Sequence, residues 1–242
     1  MNMWSFALVV IPLANVLAEP HLLKMPYVTY EEKHKTYTGY LPGDAKGTSR
    51  MFYIILLPYT IPAFAGLTEA ATQPETRPLI LFLSGGPGDS SVAAMFAGIG
   101  PNFVASDSKH LYQNPNGWNH KANILAIDAP TGVGFSYSTD HPDDHPEMSD
   151  DVIVNQTYTA LLHFFKNEHS AYKDRTFYIS GLSYAGAYVP KLAKTVLEGI
   201  ERKEFPDIKF QGVIVLSGVL DQDIWIRAQV LYSVSHGRVA HE

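Results

Sequence analysis

Apolar positions fall into two kinds of run along this chain. Tyr37 to Leu41 and Met51 to Leu56 are short runs separated by the turn-rich link LPGDAKGTSR, which predicts an antiparallel hairpin. Four later runs are continuous rather than alternating: PLILFLS (78–84), NILAID (123–128), FYISG (177–181) and FQGVIVLSG (210–218). A strand that is apolar at every position is buried on both faces, as in a parallel sheet. GVIVL (212–216) therefore calls for sheet neighbours on both sides.

Helical spacing lies between these runs. Ser149 followed by Asp150 and Asp151 supplies a cap and two acids that suit a helix N-terminus. From there to Lys166, Asp151, Asn155, Thr159 and His163 form a polar stripe. Ile153, Leu161, Phe164 and Phe165 lie away from it. Val189, Leu192, Ala193, Val196, Leu197 and Ile200 recur at helical spacing, and Pro190 is expected to kink or tighten the first turn. Strands alternating with helices give an α/β chain, with a mainly parallel sheet and flanking helices. Residues 59–78 (YTIPAFAGLTEAATQPETRP) keep no period, and read as a long loop.

Composition narrows the class. At 242 residues and 46% hydrophobic, the chain can build a sizeable core in one domain. A net charge of −6 with no basic run argues against nucleic acid as a partner. There is no cysteine, so neither disulfides nor thiolate metal sites arise. His and Asp crowd TDHPDDHPEMSDD (139–151), but its prolines break regular ligand spacing. It reads as a solvated acidic loop, so no metal and no cofactor is expected. Trp4 to Ala18 is apolar and shorter than a membrane span needs. Residues 1–18 read as a signal peptide, which leaves residues 19–242 as the domain, secreted or in an acidic lumen such as a vacuole or lysosome. Asn155-Gln156-Thr157 matches the glycosylation acceptor pattern.

Candidate chemistry centres on FYISGLSYAGAYVPKLA (177–193). A strand-like run ends at Gly181, Ser183 follows, and a helical pattern starts at once. This is the context in which a G-x-S-x-G pattern presents a nucleophilic serine on a sharp turn. Ala185 stands at the last motif position, with Gly186 one residue on. Acyl transfer also needs amide donors for the oxyanion. SGGPGDSS (84–91), after the strand PLILFLS, supplies a glycine turn for one. Tyr184, the residue after the serine, supplies the other.

Four blocks carry a family resemblance: PLILFLSGGPGDSS, NPNGWNHKANILAIDAPTGVGFSYS, FYISGLSYAGAYVPKLA and FQGVIVLSGVLD, in that order. With them, roughly residues 37–238 resemble the serine carboxypeptidases, a family of α/β-hydrolases. The resemblance implies Ser183 as nucleophile and Gly86 and Tyr184 as oxyanion-hole amides. It places Ser84, Gly85 and Leu182 at substrate-binding positions. The implied activity is release of a peptide's C-terminal residue through a serine acyl-enzyme. Related members are esterases or acyltransferases.

The departures from that family are as informative. Its triad Asp and His lie in a C-terminal half that this chain does not match, and His236 aligns with a different histidine. The chain is therefore expected to stop before the family's lid and last strands, and to be weak or inactive by itself. The family reads the substrate carboxylate with an Asn and two Glu. Here those positions are Ser84, Leu182 and Gly98. A family cysteine is Asp89, and residues 59–74 look inserted. A non-catalytic secreted protein on a hydrolase fold, or an esterase or acyltransferase, is the alternative reading. Without further strands, GVIVL becomes an exposed edge, open to a second copy or another chain.

Overall fold

In the computed structural model, residues 21–23, 28, 30, 36–56, 76–140 and 149–239 are described. The apolar N-terminal run, the long loop up to residue 75 and the stretch 141–148 lie outside them.

The hairpin forms as the sequence pattern predicts. Three-residue β1 (His21–Leu23) pairs with β2 (Thr36–Pro42), which pairs antiparallel with β3 (Ser49–Leu56). All four continuous apolar runs are strands. They are β4 (Leu79–Leu83), β7 (Asn123–Ile127), β9 (Thr176–Leu182) and β10 (Lys209–Leu216). β5 (Asn102–Val104) and β6 (Leu111–Gln113) form a separate antiparallel pair, and β8 (Tyr137–Ser138) pairs with β3. The main sheet runs β1-β2-β3-β7-β4-β9-β10. The pairs β7–β4, β4–β9 and β9–β10 are parallel.

Side chains leave the central strands in both directions, which is why those strands need apolar residues throughout. Leu79, Leu81, Leu83, Leu125, Phe177 and Ile179 face one layer. That layer is closed by α2 (Asp150–His163) and α3 (Ala185–Glu201), through Ile153, Leu161, Val189, Leu192 and Val196. Phe82, Ile124 and Ala126 face the other layer, against Val92 of the short α1 (Ser91–Ala94) and Met95. Ser149 caps α2 through its hydroxyl, which accepts the Val152 N–H, and Asp150 and Asp151 fill the first turn.

Two expectations change in detail, at Leu197 and at β10. Leu197 has the right spacing but is 47% exposed, because the buried stripe of α3 turns through Val196 to Gly199 instead. Pro190 lies inside α3. β10 has a single sheet neighbour, β9, among the described residues, and Val213 on it is exposed. Beyond β10, α4 (Gln222–Ser235) buries none of its residues, and Ile224, Val230 and Leu231 all face out. No helix among the described residues is long and apolar enough to cross a membrane.

Candidate active site

β9 ends at Leu182 and α3 begins at Ala185, so Ser183 and Tyr184 alone make the reversal. Ser183 takes φ of +60°, a left-handed conformation that a residue with a β-carbon enters at a cost of about 1–3 kcal/mol. Three backbone hydrogen bonds hold it there. Its N–H donates to the Leu216 carbonyl at 2.9 Å, and its carbonyl accepts from Gly186 at 3.0 Å and Val219 at 3.1 Å. The turn is thus pinned to the end of β10, and Ser183 is exposed above the sheet edge.

Close packing sets the glycines around it. A β-carbon on Gly181 would lie 2.6 Å from the Ala185 methyl and 2.7 Å from Val189 Cγ2. One on Gly186 would lie 2.7 Å from the Val219 nitrogen. Ala185 in the last motif position is therefore compatible with the turn: its methyl fills the space above Gly181.

The glycine turn meets this elbow directly. A β-carbon on Gly85 would sit 2.6 Å from both the Leu182 carbonyl and the Tyr184 nitrogen, and 3.0 Å from Ser183 Cβ. Gly86 has φ of +103°, which glycine adopts freely, and it is exposed. Ser84 is clamped on both sides of its backbone. Its N–H donates to Ser91 Oγ at 3.0 Å, and its carbonyl accepts the Tyr188 hydroxyl. Ser84, Gly85, Gly86, Leu182, Ser183 and Tyr184 therefore converge at one point of the fold.

Around Leu182 the surface is apolar. Leu182 packs on the cluster that contains Phe82, Val92 and Met95, as do Ile99 and Trp118. Gly98 has φ of +141°, so any side chain there would be strained, and its carbonyl accepts Asn114 Nδ2 at 2.9 Å. Asp89 is exposed, and its N–H closes the glycine turn onto the Gly85 carbonyl at 3.2 Å.

On the other flank, a cavity of about 340 Å³ is lined by Pro87, Ser149, Asp150, Ile153, Tyr184 and Lys191, among others. Lys191 Nζ lies 3.1 Å from Asp150 and 3.6 Å from Asp151. Burial and then the neighbouring Asp150 push the Tyr184 phenol up.

No hydrogen bond engages the Ser183 hydroxyl among the described residues. His236, at the end of α4, turns instead to its own helix: Nδ1 lies 2.8 Å from the Tyr232 carbonyl, and its ring stacks on Tyr232 at 3.9 Å. Two supporting residues are not evident from the motifs. Asp128 is fully buried, yet it could be noticed as the lone acid ending the apolar run NILAI. Tyr188 lies inside an apolar helical pattern, so its hydroxyl's role at Ser84 leaves no sequence signal.

Comparison with known proteins bears on this arrangement. Residues 26–242 match the serine carboxypeptidase family profile. The serine carboxypeptidase ctsa-3.1 of Caenorhabditis elegans is 38% identical over 220 residues, which is 90% of this chain and 36% of that protein. Serine carboxypeptidase-like 26 of Arabidopsis thaliana is 40% identical over 197 residues, 78% of this chain and 42% of that protein. The chain thus spans about two-fifths of the length of these curated relatives. In fold it is similar to Kex1(Δ)p, a prohormone-processing carboxypeptidase from Saccharomyces cerevisiae. The TM-score is 0.67 at 24% identity, over 86% of this chain and 44% of that one. The nucleophile-type elbow, the glycine turn against it and the sheet that carries both are those of a recognisable group: this chain belongs to the serine carboxypeptidase family.

Proposed function

We propose that this chain carries the nucleophile and oxyanion site of a serine carboxypeptidase-type hydrolase. The observation that carries this is Ser183, held at φ of +60° between strand and helix with Gly85 packed against it. In the proposed reaction, Ser183 Oγ attacks the carbonyl carbon next to the peptide's C-terminal residue, and the proton it loses ends on the nitrogen of the departing amine. The oxyanion accepts N–H donors from Gly86 and Tyr184. Collapse expels the amine of the C-terminal residue, which takes a proton, and leaves an ester on Ser183. Water then releases the acid and restores the hydroxyl.

A serine hydroxyl needs a base for this work. None is hydrogen-bonded to Ser183 among the described residues, so the chain by itself is expected to turn over slowly. Oxyanion stabilisation alone retains part of the rate when triad members are lost. The side of β10 that has no sheet neighbour among the described residues and the exposed apolar residues of α4 are proposed to associate with a further segment or a second copy. Entry into the secretory route, to the outside or an acidic lumen, is part of the proposal and rests on the apolar run 4–18.

Leu182 supports a second reading. The expected carboxylate-reading acid is a half-buried leucine packed on an apolar cluster, so esters or C-terminally blocked peptides fit the site better than free carboxylates. An activated nitrophenyl ester, a blocked peptide and a free peptide, each assayed with wild type and Ser183→Ala, separate these readings. Ser183-dependent turnover of the free peptide above the other two supports the carboxypeptidase. Preference for the ester or blocked peptide supports the second reading. Turnover unchanged by Ser183→Ala refutes both.

A further inference from the structure

We propose that Asp128 is a positioning residue for the oxyanion site, acting through the segment that follows the glycine turn. The proposal rests on the reading of Ser183 and Gly86 given above.

Asp128 follows the end of β7 and is fully buried. Its backbone is fixed to the sheet: its N–H donates to the Phe52 carbonyl at 3.0 Å, and its carbonyl accepts the Ser136 hydroxyl at 2.7 Å. Its carboxylate gathers donors from two separate segments. Oδ1 accepts the Ser90 hydroxyl at 2.7 Å and the Val92 N–H at 3.1 Å, while Oδ2 accepts the Phe135 N–H at 3.1 Å. Gly134 lies so close that a β-carbon there would overlap the carboxylate.

These contacts run toward the catalytic elbow. Ser90 caps α1 by accepting the Ala93 N–H at 3.0 Å. Ser91, flanked by the Ser90 hydroxyl and Val92 N–H that Asp128 holds, accepts the Ser84 N–H on its hydroxyl. Ser84 leads into Gly85, which abuts the Tyr184 nitrogen. Both ends of the glycine turn, Ser84 and Ser90, are thus referred to one buried carboxylate on the sheet. Burial pushes the carboxyl up, and the donated hydrogen bonds oppose that shift. A buried acid with three donors is costly to remove, because its partners are left unpaired.

A cap that only held the fold together would act on the whole sheet. A positioning residue acts on the turn. Asp128→Asn keeps the shape but sets an N–H₂ group against one set of donors. Ser90→Ala removes a single donor and is the milder variant. Two measurements on the full 242-residue chain decide. The first is saturation kinetics of a fluorophosphonate at Ser183. Asp128→Asn should lower the maximal labelling rate at least tenfold with the half-saturating concentration within twofold, and Ser90→Ala should lower it less. The second is amide exchange, which should speed up in residues 84–92 and not in 209–216. Wild-type labelling rates in both variants, or exchange that rises equally across the sheet or not at all, would overturn the proposal. If wild type itself fails to label, the Ser183 reading fails, and the exchange comparison still decides the role of Asp128.

Discussion

The Tyr184 nitrogen lies 2.6 Å from where a β-carbon on Gly85 would stand. Two turns distant in sequence are in backbone contact, and the position of the Tyr184 amide depends on residue 85 having no side chain. Gly85→Ala is expected to force them apart. Losing one oxyanion donor in this way costs about 10²–10³ in rate, and overpacking costs about 1–3 kcal/mol of stability. Burst kinetics with an activated ester and a urea titration would measure the two effects separately.

The strained serine makes its own prediction. Ser183→Ala keeps the β-carbon at φ of +60°, and Ser183→Gly removes it. Ser183→Gly should therefore be the more stable of the two variants, by about 1 kcal/mol. Equal urea midpoints would mean that the turn is not strained.

Gly181 is a packing residue rather than a flexible one. Its hydrogen faces Ala185 and Val189 at distances no β-carbon tolerates. Gly181→Val is expected to destabilise by about 3 kcal/mol or more, with Gly181→Ala at about 1–3. Melting temperatures in that order would support this; a neutral Gly181→Ala would refute it.

Acid should weaken the fold at a second place. His169 lies beside Phe164 and Tyr172, and its Nε2 is 2.9 Å from the Tyr53 hydroxyl, which also donates to Glu168. Burial holds its pKa down, at about 4 against an ordinary 6.5. A depressed histidine favours the neutral form in the fold. Its contribution is complete above the unfolded value and is lost as pH falls from about 6.5 toward 4. His169→Gln, which keeps a hydrogen-bonding side chain, should flatten the melting temperature over that interval. A wild-type profile parallel to the variant's would contradict this.

Exposed apolar surface on β10 and α4 predicts association. Val213 is 44% and Leu231 70% exposed. Sedimentation should report a species heavier than the monomer, and Val213→Lys with Leu231→Lys should shift it toward the monomer. A wild-type chain that stays monomeric at high concentration would refute the idea.

The strands were legible because two-face burial leaves an unbroken apolar run, as in LILFL and NILAI. The elbow and glycine turn were legible because tight backbone contacts admit few residue types. Leu197 misled because helical spacing marks a stripe but not where the stripe meets the core. α4 escaped notice because its apolar residues face every direction, so no buried stripe exists to read. Tyr188 acts through a hydrogen bond to a backbone carbonyl far along the chain, which leaves no local pattern, whereas Asp128 shows in the sequence as the lone acid ending NILAI but not through its partners.

The central claim is that Ser183 is the reactive nucleophile. Incubation with a fluorophosphonate, followed by peptide mass mapping, tests it most directly. The account predicts one adduct, on Ser183, formed slowly by the wild-type chain and absent from Ser183→Ala. No adduct, or equal modification of the Ser183→Ala chain at another residue, would contradict it.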